Sequence, residues 1–349
     1  MSDSRVYRVL VLGTGFATRV QIPVFRDHPR FEVAGVCSRT PERAEEVAAG
    51  FEIPRHGSDW REMTAGDGFD LVSVVTEVAD HVEPAVAALE AGKHLLLEKP
   101  MAATLEEGRR IAAAAAASGV HAAINHEFRY QPDVLTLKGI IESGELGGIR
   151  GLEMRSFMDF WADPDAPTFG WLSRAERGGG ILGAMGSHTV DQVRFLTGRE
   201  VAGTRGSVYT VLSERNDEKG RRRAVTADDT AAFTMALEGG IPVTVALHAS
   251  VWWKETVIRV FCERGTATIN GSGTVSVRTP GGEVEARAPD PGLALPGVDP
   301  DIRKPLFALL LDRLARRCDG ETVADLATVE DGLAVMRVLE AVRAGFADG

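Results

Sequence analysis

Over roughly its first 125 residues the chain alternates short apolar, β-rich runs with stretches of helical character, a pattern that few folds accommodate. The runs are Tyr7–Leu12, Phe31–Cys37, Asp70–Thr76, Leu95–Leu97 and Val120–Asn125. Between them lie a helical segment to about Asp27, which Pro23 must bend or break, one from about His81 to Ala91, and one that Thr104 caps and Gly119 stops. Apolar strands separated by helices predict an α/β architecture, a doubly wound parallel sheet covered on both faces. From Ile149 the texture changes. Strand-like runs recur without helices between them, at 149–158, 201–213, 228–238, 242–251, 255–262, 265–270 and 273–278. Several alternate, as in Thr256-Val257-Ile258-Arg259-Val260-Phe261, which predicts a large, mainly antiparallel open sheet with one packed and one free face. Segment 214–223 reads as a charged hairpin tip with solvated arginines and 279–299 as a long Pro- and Gly-rich loop. Two helices with apolar spacing, about 302–318 and 328–345, close the chain.

Composition narrows the functional classes. A chain of 349 residues exceeds what one core usually serves, so two domains are expected. A formal net charge of −11 argues against sequence-independent binding to nucleic acid or to an anionic membrane. Cys37, Cys262 and Cys318 are odd in number and far apart, which excludes a disulfide framework and zinc-type spacing and suggests a reducing compartment. Met1-Ser2-Asp3-Ser4 leads straight into the first strand with no leader-like pattern, and the alanine-rich run Ile111–Ile124 is broken by Ser118, Gly119 and His121. A cytoplasmic protein without a metal ligand set is expected.

Three stretches carry chemistry. Gly13-Thr14-Gly15-Phe16-Ala17-Thr18 follows the first strand at once and opens a helix. Gly13 permits a tight turn, Gly15 lets backbone approach a pyrophosphate, and the helix start supplies N–H groups. A dinucleotide-binding domain over 1–125 follows, with a substrate-binding and oligomerisation domain over 126–349. The second strand ends in Cys37-Ser38-Arg39-Thr40 with no acid for a ribose hydroxyl. Ser38 and Arg39 suit a 2′-phosphate and favour NADP over NAD; the local alternative is that Thr40 caps the next helix and Arg39 is solvated. Next, His94-Leu95-Leu96-Leu97-Glu98-Lys99-Pro100 places Lys99 at the carboxyl end of a central strand, where open α/β sheets bind ligands; a solvated strand-end charge is the plain alternative. Finally, Gly178-Gly179-Gly180 runs through Gly186-Ser187-His188-Thr189-Val190-Asp191 into a helix ended by Gly198. His188 falls in its first turn with Asp191 on the same face, fit for proton transfer or for a helix-cap role. Trp161, Trp171 and Arg174, with Asn125, His126, Arg129 and Tyr130 at the domain junction, offer aromatic faces and hydrogen-bonding groups suited to a sugar ring or to structural packing.

With these stretches in order, the whole chain resembles the glucose–fructose oxidoreductase/inositol dehydrogenase (Gfo/Idh/MocA) family. The likeness rests on Gly13-Thr14-Gly15, Glu98-Lys99-Pro100 and the segment Gly178–Asp191, with Thr76, His81 and Phe128-Arg129 also fitting. It implies a Rossmann domain followed by a C-terminal α/β domain, a homodimer or homotetramer formed through the C-terminal sheet, and NAD(P)-dependent oxidation or reduction of sugars and polyols. It implies cofactor contacts from Gly13, Thr14, Gly15, Phe16, Ala17, Ser38, Arg39, Thr76, His81, Glu98 and Lys99. Lys99 and His188 would be catalytic, and Asn125, Arg129, Trp161, Trp171 and Arg174 would join them around the substrate. A cis peptide bond before Pro100 is implied too. The family's aspartate four residues before the histidine is here Ala184, so the Lys–Asp–His set is incomplete. That departure motivates an alternative, a non-catalytic NAD(P)-binding sensor of the same fold.

Overall fold

The computed structural model describes residues 5–271, 273–282, 284–287 and 301–345. Two compact units emerge, Met1–Glu127 with Leu295–Leu333, and Phe128–Ala294 with Ala334–Gly349.

The first unit is built on a six-stranded parallel sheet. Its strands are β1 (Tyr7–Leu12), β2 (Phe31–Cys37), β3 (His56–Gly57), β4 (Leu71–Val74), β5 (His94–Leu97) and β6 (Ala122–Ile124), in the order β3-β2-β1-β4-β5-β6. The order reverses beside β1, so the loops after β1 and β4 part there and open a crevice at the carboxyl ends of the strands. Every residue of β4 is buried, as expected of a strand covered on both faces. Helices Gln21–Asp27 and Pro41–Phe51 pack on β2, and Val82–Glu90 packs on β4 and β5.

The helix predicted to run to Asp27 is two helices, Phe16–Arg19 and Gln21–Asp27, and the break falls at Val20 rather than at Pro23. Pro23 is the third residue of the second helix, where a backbone N–H would have no intrahelical partner, so the ring is tolerated there. Helix Arg303–Cys318 completes this unit: Phe307 meets Phe25 edge-on at 5.4 Å, and both are fully buried. The outer edge of β6 is closed by the chain further on. Ile124 N donates to Ala327 O at 3.0 Å, and Ala123 bridges Thr328.

The second unit carries an eight-stranded sheet. It contains β7 (Ile149–Phe157), β8 (Val201–Tyr209), β11 (Thr230–Leu237), β12 (Ile241–His248), β13 (Glu255–Cys262), β14 (Thr266–Ile269), β15 (Val275–Arg278) and β16 (Val284–Arg287). The order is β16-β15-β14-β13-β7-β12-β11-β8, and only β7 and β12 run parallel. β11 alternates buried Ala231, Phe233, Met235 and Leu237 with exposed Ala232, Thr234 and Ala236, so one face is packed and the other open.

The fold is therefore the expected one, a parallel doubly wound sheet followed by a mainly antiparallel open sheet. Strand β16 corrects part of the loop expected at 279–299, because Val284–Arg278 pairing carries the ladder past the Gly281-Gly282 turn; residues 288–299 of that loop lie outside the described residues. The hairpin at 214–223 is two short strands, β9 (Glu214–Asn216) and β10 (Arg222–Ala224). Its tip arginines are largely exposed and engaged by carboxylates, Arg221 with Asp217 at 2.8 Å and Arg222 with Asp165 at 2.7 Å. Among the described residues no helix is long and apolar enough to cross a membrane.

Candidate active site

In the first unit the glycine turn after β1 is fixed by close approach. Gly13 adopts φ +110°, and a Cβ there would stand 2.4 Å from the Val75 carbonyl oxygen, so no other residue fits. Its N–H donates to Cys37 O at 2.9 Å, which ties the turn to the end of β2. Gly15 is different: a Cβ there would meet nothing within 4 Å, leaving room for a dinucleotide pyrophosphate directly over the backbone. Thr18, where a third glycine is usual, returns its hydroxyl to the carbonyls of Thr14 (3.0 Å) and Gly15 (3.1 Å). Thr14 and Ser38 share a hydroxyl hydrogen bond of 3.2 Å, so the first and second strand ends meet. Arg39 stands out in solvent, 83% exposed, with its guanidinium 3.5 Å from Glu77. Thr40 starts the next helix without a side-chain cap bond.

His81 is fully buried. Its Nε2 lies 3.1 Å from Thr76 O, with the backbone of Pro100 and Met101 also close, and Thr76 Oγ1 donates to Asp80 O at 3.2 Å. Burial holds its pKa down at about 4, so a neutral imidazole fixes the loop after β4 against the turn after β5. That turn contains the expected cis bond, Lys99–Pro100.

Glu98 is the hub of this end of the sheet. Its Oε1 accepts from Gln21 Nε2 and from Asn125 Nδ2, both at 2.7 Å, and its Oε2 accepts from the Lys99 N–H at 3.3 Å. Gln21 in turn accepts from Ser73 Oγ at 2.7 Å, so four elements converge on one carboxylate. Asn125, expected at a substrate, is 1% exposed and gives its amide N–H to Glu98 instead. Two members went unrecognised in the sequence. Gln21 is a polar residue between apolar Val20 and Ile22 on a buried helix face, which is the signal that marks it. Glu127 follows Asn125 and His126 and is 3% exposed, with its Oε2 buried and unpartnered. Burial first and the neighbouring Glu98 second push its carboxyl up to about 8.

In the second unit a π-helical turn, Leu182–Gly186, precedes helix Ser187–Thr197, an arrangement that recurs at functional sites. The glycines ahead of it are required by packing. A Cβ on Gly179 would stand 2.6 Å from Leu172 O, and one on Gly180, at φ +106°, would stand 2.2 Å from Asp228 Oδ1. Asp228 Oδ2 accepts from Leu182 N at 2.7 Å and so anchors the turn. His188 is 3% exposed and stacks on Phe128, centroids 4.0 Å apart and planes 15° apart. Asp191 does not orient it, because Arg129 takes both carboxylate oxygens: Nε donates to Oδ2 at 2.7 Å and Nη2 to Oδ1 at 2.5 Å, with both side chains buried. Arg129 also lies over the Phe195 ring at 5.3 Å.

Two expected substrate residues have partners within the second unit. Arg129 is committed to Asp191. Trp161 is 5% exposed, and the Arg215 guanidinium covers its ring at 3.9 Å, so its face is taken. Trp171 and Arg174 are half-buried at either end of the turn Trp171–Ser173.

The sequence compares with known proteins in the way this geometry suggests. Residues 7–126 match the model of an oxidoreductase family with an NAD-binding Rossmann fold, and residues 134–268 match the Gfo/Idh/MocA C-terminal domain. The chain belongs to the Gfo/Idh/MocA family of oxidoreductases. An uncharacterized oxidoreductase of Synechocystis sp. is 30% identical over 247 residues, 70% of this chain and 66% of that protein. Levoglucosan dehydrogenase of Pseudarthrobacter phenanthrenivorans is 31% identical over 185 residues, 53% of this chain and 47% of that protein. The matched stretches span about half to two thirds of the length of these relatives. A solved levoglucosan dehydrogenase in complex with NADH and L-sorbose shares the fold at a TM-score of 0.87 and 23% identity, over 96% of this chain and 95% of that one.

The buried pair Arg129–Asp191 yields a stability prediction. Arg129→Ala or Asp191→Ala leaves one charge buried without its partner and costs about 3–5 kcal/mol in urea melts, whereas the double variant Arg129→Met/Asp191→Leu costs less than either. A double variant as unstable as the singles would show that the pair does more than neutralise itself.

Proposed function

We propose that the protein is an NAD(P)-dependent dehydrogenase that interconverts a secondary hydroxyl and a carbonyl on a cyclic sugar, a polyol or a related compound. The observation that supports this best is the position of Lys99. It follows β5 at the carboxyl end of the parallel sheet, beside Glu98, at the same end as the Gly13–Gly15 turn. Space over Gly15 and the Thr14–Ser38 contact fit a dinucleotide laid along that end.

The nicotinamide, when bound, accepts or supplies the hydride. Lys99 donates a hydrogen bond to the reacting oxygen and stabilises its developing negative charge. His188 takes the hydroxyl proton on oxidation and returns it on reduction, its ring held flat against Phe128. Trp171 and Arg174 supply an aromatic edge and a donor for the remaining hydroxyls. Ala184 leaves His188 without the family's aspartate, and Asp191 is spent on Arg129, so proton transfer rests on Lys99 and His188 alone.

Turnover is read at the reduced-nicotinamide absorbance band with levoglucosan, L-sorbose, inositols and common hexoses. Lys99→Ala lowers turnover on the best of them by about 100- to 1,000-fold. Near-native turnover in that variant removes Lys99 from the chemistry, and binding of dinucleotide with no turnover on any of these compounds favours the sensor reading.

NADP is the preferred cofactor in this reading. Arg39 is exposed at the end of β2, and a 2′-phosphate would draw its guanidinium away from the 3.5 Å contact with Glu77 into a charge-assisted bond. Titrations with NADPH and NADH should show a preference of about tenfold for NADPH in wild type. Arg39→Ala should lose most of that preference and keep its NADH affinity; an unchanged ratio assigns Arg39 to Glu77 and solvent alone.

The open face of the eight-stranded sheet supports self-association. It presents small side chains, Ala232, Thr234, Ala236, Pro242 and Thr244, beside ion pairs of Arg155 and Arg259 with Glu153. Light scattering at micromolar protein should report a dimer or tetramer, and a monomeric mass would sink this reading.

A further inference from the structure

Glu127 is the one buried carboxyl at this end of the parallel sheet that the proposed chemistry leaves unused. Glu98 follows β5 and Glu127 follows β6, and the strands are in register at Leu97 and Ile124, so the two side chains leave neighbouring strand ends. They are provided for very differently. Burial raises the Glu98 carboxyl too, but the Lys99 charge, two amide N–H donors and the Lys99 backbone N–H work against that and favour its anion. Glu127 Oε2 is buried without a hydrogen-bond partner among the described residues, and against its burial the carboxyl has only its own backbone N–H as a donor, which favours the protonated acid.

The charged groups that act on Glu127 are Glu98, Lys99 and Arg303. Arg303 is already held by Asp301, Nε to Oδ1 at 2.7 Å and Nη2 to Oδ2 at 2.5 Å. One ammonium therefore stands against two carboxyls, and the second keeps its proton near neutrality.

We infer that Glu127 is a positioning residue that sets the preference of the site for oxidised or reduced nicotinamide: protonated, it leaves Lys99 facing a single carboxylate, and ionised, it adds a negative charge that favours the positively charged oxidised ring. This rests on the dinucleotide-dependent reading above. The step breaks the O–H bond of the Glu127 carboxyl and hands its proton to water, leaving the carboxylate; nothing is oxidised or reduced. The pH range follows from the carboxyl being pushed up to about 8 by burial and by Glu98.

The test is calorimetric titration of the full chain with NAD+ and with NADH from about pH 6.5 to about 9.5, with Glu127→Gln as the isosteric neutral variant and Glu127→Asp as the variant that keeps a titrating carboxyl. In wild type the ratio of the NADH Kd to the NAD+ Kd should rise by about tenfold across this range. In Glu127→Gln the ratio should stay at its low-pH value, and Glu127→Asp should restore a rise. A flat wild-type ratio, or the same rise in Glu127→Gln, overturns the inference and leaves the dinucleotide reading standing. Failure of wild type to bind either nucleotide at any pH overturns that reading and this inference with it. An infrared band of a protonated carboxyl, lost above about pH 8 in wild type and absent from Glu127→Gln, supports the assignment without any ligand; its persistence in Glu127→Gln counts against Glu127 as the proton holder.

Discussion

A carboxylate taken out of water needs donors, and Glu98 takes them from Gln21, Asn125 and the Lys99 N–H, with Ser73 bracing Gln21 from behind. Gln21 comes from the helix after the glycine turn, Ser73 stands behind it on β4, Asn125 comes from the end of β6, and Lys99 supplies the adjoining N–H. Gln21 links β4, through Ser73, to the carboxylate that Asn125 and Lys99 also reach, so the ends of β4, β5 and β6 and the second helix are held in one arrangement. Lys99 inherits its position from that arrangement. A surface lysine samples many backbone and side-chain arrangements, whereas one whose own N–H is held by a pinned carboxylate starts from a fixed backbone.

The fold was legible because its signals are local. A run such as Leu95–Leu97, apolar throughout and bounded by Gly92 and Pro100, marks a buried strand, and the alternation in β11 and β12 shows its period within eight residues. The Gly13 turn was legible for the same reason, since strand, glycine and helix follow within a few positions. Strand β3, two residues long, and helix Trp60–Ala65 carry too little pattern to be seen.

The site was legible only in part, because its residues are defined by partners far along the chain. Arg129 looks like a substrate ligand until Asp191, 62 positions on, is found against it. Trp161 looks like a sugar platform until Arg215 is found over its ring. Asp191 was read beside His188 because helix spacing is visible in sequence, while its pairing with another helix is not. Glu127 escaped notice because an acidic residue after a strand usually faces water; its burial is a property of the packed unit, not of its neighbours in sequence.

The return of the chain to the first unit bears on how the protein is made. Phe307 fills the space against Phe25, and Ala327 and Thr328 close the outer edge of β6. The strands of the parallel sheet are translated early, yet the pieces that cover them leave the ribosome only after all the strands of the second sheet. Until then the nascent chain carries an uncovered aromatic patch and an open strand edge, features that attract chaperones and other unfolded chains. The eight-stranded sheet has no such debt to the first half of the chain within its own ladder, so it can be complete before the unit that precedes it.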